Sequence, residues 1–376
     1  MAQQQQQKKD EPNISAPHAI LIDAENGAVL FERAADDLIF PASLSKLMTA
    51  EYVFNEIKEG RVKLTDEFMV SENAWRKGGA PSGGSTMFAA IHSRVPVADL
   101  IRGMIIQSGN DACIALAEGI AGNEAEFSAK LTERARKLGL PKSTFANSNG
   151  LPNPGSKVTS RELAVLARHI ILTYPDFYPI YGEREFTWNK IRQYNRNPLL
   201  SEVDGADGMK TGYTSEAGYG LVGAALRNGQ RLIVVVNGTK TPKDRADDAK
   251  RLLEWGFRSF EQRVLFAVGQ TIGEAKVFGG ESGRVPLVAP GLVKIMVPKN
   301  TNERIIARIV YQGPVSAPIE AGKPIGTLKV WRGENVVLQT PLKAAESVGV
   351  GSMPQRALDA VSELVINLFR SGAQRL

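Results

Sequence analysis

Pro41-Ala42-Ser43-Leu44-Ser45-Lys46-Leu47-Met48-Thr49 is the stretch on which the reading of this chain turns. Pro41 precedes a helical pattern predicted to run from Ala42 to Ile57. Residues three apart on a helix share a face, so the Ser43 hydroxyl and the Lys46 amine can meet. Near a helix start, backbone N–H groups and the positive dipole end favour developing negative charge. A lysine neutralised by burial or by neighbouring cations can take the proton of a serine. Ser45 lacks a lysine three residues on. Taken alone, a Ser-x-x-Lys pair is as well explained by exposed helix residues, so its meaning depends on the rest of the chain.

Working outward, His18–Ile22 and Ala28–Phe31 read as two strands around an Asn26-Gly27 turn. Helical patterns follow at 111–121, 125–138 and 160–173, with Gly139 and Pro141 stopping the second of these. Strands return over 205–238. There Asn228-Gly229, between Leu221–Leu226 and Leu232–Val236, is a strong hairpin signal. A helix is predicted over Pro242–Trp255, with Thr241 as its N-cap. Strands at both ends of the first 250 or so residues, with helices between them, predict an α/β domain whose antiparallel sheet is assembled from both ends. Short alternating runs punctuated by Pro and Gly over 264–346, such as 304–310 and 326–331, predict a small all-β domain.

The expected divisions are a disordered tail at 1–15, a catalytic domain at 16–262, a β-rich domain at 263–350 and an amphipathic helix at 351–376. In that last helix Leu358, Val361, Val365, Leu368, Phe369 and Leu376 share a face opposite Arg356, Asp359, Glu363, Asn367 and Arg370. After the Gly-rich break at 348–352 this pattern reads as an in-plane membrane anchor, 354–376 lying on a bilayer surface.

Two further motifs accompany the first. Ser108-Gly109-Asn110 precedes the 111–121 helix. It is either an N-cap or a loop in which Ser108 relays a proton to a leaving amine and Asn110 holds a substrate carbonyl. Lys210-Thr211-Gly212 lies within the later strands. It is either an ordinary edge strand or one where Gly212 admits a substrate backbone, Lys210 keeps the site positive and Thr211 binds a carboxylate. The Gly78–Ser85 stretch lacks a phosphate-loop ending and reads as a mobile flap beside the site.

Composition removes other chemistries. The net charge of +6 is a mild basic bias, and no Lys/Arg run interleaved with aromatics supports nucleic-acid binding. One cysteine, Cys113, permits no internal disulfide and reads as a small buried hydrophobe. His18, His92 and His169 are scattered, so neither a metal site nor a Ser-His-Asp triad is indicated, and no cofactor is expected. No apolar run is long enough to span a membrane, and no signal peptide is visible in this numbering.

Ser-x-x-Lys, Ser-x-Asn and Lys-Thr-Gly, in this chain order on helix, loop and strand, form the pattern of active-site-serine penicillin-recognising enzymes. With Gln107–Cys113, Phe186–Gln193 and Gly208–Thr214, the chain resembles D-alanyl-D-alanine carboxypeptidases of the low-molecular-mass penicillin-binding protein 5/6 type. The resemblance runs from about His18 to Phe257, and more loosely to the C-terminus. It implies a β-lactamase/transpeptidase-like fold. It also implies a Ser43 acyl-enzyme with peptidoglycan stem peptides or β-lactam antibiotics, and a periplasmic protein attached peripherally to the inner membrane. It further implies an oxyanion hole from the backbone N–H groups of Ser43 and Tyr213, the latter standing where well-known members carry His, and carboxylate binding by Arg245. Three alternatives are a class A-like β-lactamase using Glu185, a non-catalytic penicillin- or peptidoglycan-binding scaffold, and an endopeptidase or transpeptidase sharing the same acyl-enzyme.

Overall fold

The computed structural model describes residues 11–299 and 304–361. Residues 1–10 of the expected tail and 362–376 of the expected anchor lie outside the described residues. The chain divides between Ser259 and Phe260 into two compact units.

In the first unit β1 (His18–Asp23) and β2 (Val29–Arg33) open the chain. They are followed by a 3-10 turn at Ala42–Ser45 and α1 (Lys46–Lys58). A peripheral section follows: β3 (Glu67–Met69), α2 (Glu72–Gly78) and β4 (Arg94–Pro96). The helical side is α3 (Val97–Ile106), α4 (Asn110–Ala121), α5 (Glu124–Lys137) and α6 (Ser160–Thr173). Asn123 and Thr159 cap α5 and α6 by accepting from the third N–H downstream. A hairpin of β5 (Glu185–Trp188) and β6 (Ile191–Tyr194), then a single turn α7 (Leu199–Glu202), lead into β7 (Ala206–Thr214), β8 (Gly218–Arg227) and β9 (Gln230–Thr239). The unit closes with α8 (Pro242–Ser259), whose Thr241 hydroxyl accepts from the Asp244 N–H at 3.0 Å.

The five-stranded sheet has the order β2-β1-β9-β8-β7, and every pairing is antiparallel. The fold class is thus an α/β domain whose sheet joins both ends of the chain. Alternation decides which face meets which helix layer. Ile20, Ile22, Val222, Ala224, Ile233 and Val235 belong to one core with Leu47, Val53, Leu100, Ile114 and Leu163. Leu21 and Leu232 point the other way, against Gly256 of α8. The β8–β9 hairpin turns at Asn228 and Gly229, both with positive φ, as a two-residue hairpin requires. β7 is left as the sheet edge nearest the helical side.

Packed structure begins before the tail boundary drawn at residue 15. Ile14 is buried, and the Ser15 N–H and hydroxyl both donate to the Asp248 carboxylate at 2.8 Å. The second unit also begins slightly before 263, because β10 (Phe260–Phe266) pairs with β13 (Val293–Pro298).

Among its described residues the second unit is all-β up to residue 344, with a six-stranded sheet around Val277, Val285, Leu287, Leu328, Val330 and Leu342. Residues 353–361 are helical. There Asp359 accepts from the Gly279 N–H at 2.8 Å, while Leu358 and Val361 are exposed.

Candidate functional site

Ser43 does not sit in the first turn of the α-helix, as the spacing suggested, but in the 3-10 turn just before it. The difference improves the geometry. Side chains three apart eclipse in a 3-10 turn, so Ser43 and Lys46 stand in line. Lys46 Nζ lies 2.9 Å from Ser43 Oγ, 2.8 Å from Asn110 Oδ1 and 2.5 Å from the Asn149 carbonyl. Lys46 is 1% exposed, whereas Ser43 alone of residues 41–50 is not buried. Burial, reinforced by the Arg196 charge, brings the Lys46 amine down to about 8.

Asn110 is not a cap. The helix α4 begins at Asn110 with no side-chain cap, and its amide oxygen is committed to Lys46 instead. The loop before it is strained: Ser108 is 2% exposed, has φ +65° and leaves its hydroxyl without a partner among the described residues. Residues held in such a conformation cluster at functional sites. Asp111 braces the loop from below. Its carboxylate accepts from the Thr86 hydroxyl at 2.6 Å and from the backbone of Met87, Ala89 and Ala112 at 2.9–3.1 Å. The Gly78–Ser85 stretch does border the site. Its end is pinned, because the Ser85 carbonyl accepts from Asn110 N–H at 2.8 Å and the Ser85 hydroxyl from Arg196 at 2.6 Å.

The Lys-Thr-Gly strand reaches the same place from the opposite side. A Cβ on Gly212 would lie 3.2 Å from both Ser43 N and Leu44 N. The approach of β7 to the serine turn is by itself a reason for glycine there. Thr211 is buried, and Tyr213 is 53% exposed and stacked on Tyr219 at 4.1 Å. Lys210 is buried, with Nζ 3.0 Å from the Thr211 carbonyl. Burial and the charges of Lys46, Arg196 and Arg245 push its amine well below the ordinary range. Arg245, in the first turn of α8, lies 5.8 Å from the Tyr219 ring centre, and its Nε has no partner among the described residues.

All nine sequence-predicted residues thus belong to elements meeting around Ser43, with Tyr213 and Arg245 at the outer margin. Sequence reasoning missed the Asn149-Gly150 turn, which supplies a carbonyl to Lys46 and whose Gly150, at φ +80°, touches the Ala42 backbone. The Asn-Gly dipeptide was the available signal. It also missed Arg196, for which no local pattern exists. Cys113 is fully buried, with its thiol pushed up to about 12 by burial. Glu185, the β-lactamase candidate, is an exposed hairpin residue engaged by Arg192. Among the described residues no cluster could hold a metal.

A serine with a buried lysine amine beside it, next to an antiparallel edge strand and faced by an amide-bearing loop, is the arrangement shared by penicillin-binding proteins and class A β-lactamases. The family model for D-alanyl-D-alanine carboxypeptidase matches residues 4–241, and that for the penicillin-binding protein 5 C-terminal domain matches 260–350. The chain belongs to the D-alanyl-D-alanine carboxypeptidase family. It is 40% identical over 359 residues to D-alanyl-D-alanine carboxypeptidase DacC of Escherichia coli, covering 95% of this chain and 90% of that one. To DacA of Haemophilus influenzae it is 37% identical over 361 residues, covering 95% and 91%. Among solved structures, penicillin-binding protein 5 from Haemophilus influenzae aligns with a TM-score of 0.81 at 37% identity, over 90% of this chain and 99% of that one.

Proposed function

We propose that this protein removes the terminal D-alanine from peptidoglycan stem pentapeptides through an acyl-enzyme on Ser43, and that β-lactam antibiotics are trapped at the same oxygen. The observation that carries this reading is the buried Lys46 amine at 2.9 Å from Ser43 Oγ, shifted to about 8. In its neutral form that amine accepts the serine proton as Oγ attacks the carbonyl of the penultimate D-alanine. The tetrahedral oxyanion is received by the N–H groups of Ser43 and Tyr213; β7 is a sheet edge, so its outward N–H groups have no strand partner. The Ser108 hydroxyl, unpartnered among the described residues, relays that proton from Lys46 to the nitrogen of the departing D-alanine as the C–N bond breaks, so Ser108 keeps its own proton and Lys46 is neutral again. Thr211, Lys210 and Arg245 hold the terminal carboxylate, and Asn110 orients both Lys46 and the acyl amide. Lys46 then activates water, and the shortened peptide leaves.

The test is incubation with a stem pentapeptide and mass analysis. Loss of one alanine is expected; a cross-linked dimer would assign transpeptidation instead, and no product would support a non-catalytic scaffold. Ser43→Ala should abolish labelling by fluorescent penicillin with the fold retained, and persistent labelling would end the nucleophile assignment.

The further reading is a periplasmic enzyme attached peripherally to the inner membrane through residues 354–376. Its support is that Leu358 and Val361 face solvent while Asp359, on the opposite face, is tied to Gly279. Among the described residues no helix is long and apolar enough to cross a membrane. Deleting 354–376 should release active protein from membranes, and a truncated form still sedimenting with them would count against the anchor.

A further inference from the structure

Arg245 is half-buried, yet no acceptor among the described residues takes a hydrogen bond or an ion pair from its guanidinium. Its backbone is fixed, because the Arg245 N–H donates to the Thr241 carbonyl at 3.2 Å in the first turn of α8. What faces the side chain is the ring of Tyr219, whose centre lies 5.8 Å from the guanidinium carbon. Tyr213 stacks on that same ring at 4.1 Å, with the two planes 24° apart. The two tyrosines are directly opposed on β7 and β8, so strand register brings their rings together. The Thr239 hydroxyl lies 3.2 Å from the carbonyls of both Tyr219 and Thr241, and so bridges β8 to the start of α8. The Arg245 charge is also felt at Lys210, which sets it beside the Lys-Thr-Gly strand.

This arrangement solves a specific problem. An arginine that must receive a carboxylate needs to be held in place before the carboxylate arrives. An acidic neighbour would hold it, but would also neutralise it and occupy the fork of N–H donors that a carboxylate grips in pairs. An aromatic face attracts the cation through its quadrupole and takes none of those donors. It also offsets part of the cost of half-burying a cation that has no counter-ion. The ring of Tyr219 meets these requirements, and the stacked Tyr213 limits how far that ring can turn.

We propose that Tyr219, backed by the ring of Tyr213, is the positioning residue for Arg245, and that the stacked pair thereby sets the preference for peptides ending in a free carboxylate. The inference rests on the carboxypeptidase reading above. Tyr213 then has two separable parts, a backbone N–H that serves the oxyanion and a ring that serves Tyr219.

The experiment uses the full chain and two synthetic pentapeptides identical except that the last residue is D-alanine or D-alaninamide. Release of that residue gives kcat and KM for each, and the acid-to-amide ratio of kcat/KM is the readout. The wild type should favour the acid. Tyr219→Leu should lower the ratio about three- to tenfold, mainly by raising KM for the acid, whereas Tyr219→Phe keeps the ring and should retain it. Tyr213→Ala, at an exposed position, keeps the backbone N–H and should lower the ratio about twofold. In an Arg245→Leu background, Tyr219→Leu should lower it no further, since the ring acts through the guanidinium. A wild type indifferent to the terminal carboxylate overturns the proposal while leaving the carboxypeptidase reading standing. So does an unchanged ratio in Tyr219→Leu or Tyr213→Ala, an equal loss in Tyr219→Phe, or a full further loss in the Arg245→Leu background. No release from either peptide, together with no penicillin labelling of Ser43, overturns that reading and the proposal with it.

Discussion

If Lys46 is the base, the rate of Ser43 acylation must follow its neutral fraction. With the amine at about 8, about 1% is neutral at pH 6, about 10% at pH 7, about 50% at pH 8 and about 90% at pH 9. The second-order rate constant for penicillin acylation should therefore rise about tenfold from pH 6 to 7, about 90-fold from pH 6 to 9, and then level off. The assay is rapid-quench labelling with a fluorescent penicillin at subsaturating concentrations, where the profile reports the free enzyme. The cause is mainly burial, since Lys46 is 1% exposed, and a fall from 10.5 to about 8 corresponds to about 3 kcal/mol against the charged form. The same shift acts on stability. Below about pH 8 the folded state carries this cost in full. Between 8 and 10.5 the unfolded chain binds more protons, so that contribution becomes less destabilising as pH rises. A profile flat between pH 6 and 9, or one still climbing tenfold per unit above pH 9.5, would refute the assignment of Lys46 as base.

Three more outcomes follow from the same structure. Arg196→Ala removes a positive charge that lowers the Lys46 amine, so the acylation midpoint should move to higher pH, by less than about one unit; a downward shift would contradict the electrostatic account. Gly150→Ala would place a Cβ 1.8 Å from the Ala42 carbonyl at φ +80°, so it should cost at least about 2 kcal/mol and slow acylation, seen together by thermal melting and penicillin labelling. Glu51→Ala strands Arg134 and Tyr174, which the fully buried Glu51 carboxylate binds at 2.7 and 2.9 Å; a loss of about 3 kcal/mol in denaturant titration is expected, and a loss under about 1 kcal/mol would show the network to be dispensable.

Much of the fold was legible in the sequence because its signals are local. The Asn228-Gly229 turn, the Thr241 cap and the continuous apolar run of β9 are decided by neighbours in the chain, and the structure keeps each. The separation of a helix-rich unit from a β-rich one came from composition and periodicity alone. Less legible were the features that depend on close approach. The 3-10 turn at Ser43 could not be told from a helical turn, because it is held open by Gly150 and Gly212 packing against its backbone from two distant segments.

The sequence by itself supplied the residue types and their order: Ser43 three before Lys46, an amide at Asn110, a cation and a glycine at Lys210 and Gly212. Tertiary structure alone decided what those groups are chemically. It buries Lys46 against the Asn149 carbonyl and Asn110, so its amine falls to about 8, and it buries Lys210 beside other cations, so that amine also lies well below the ordinary range. Proton affinity is set by desolvation and by charges across space, and neither is encoded in local spacing.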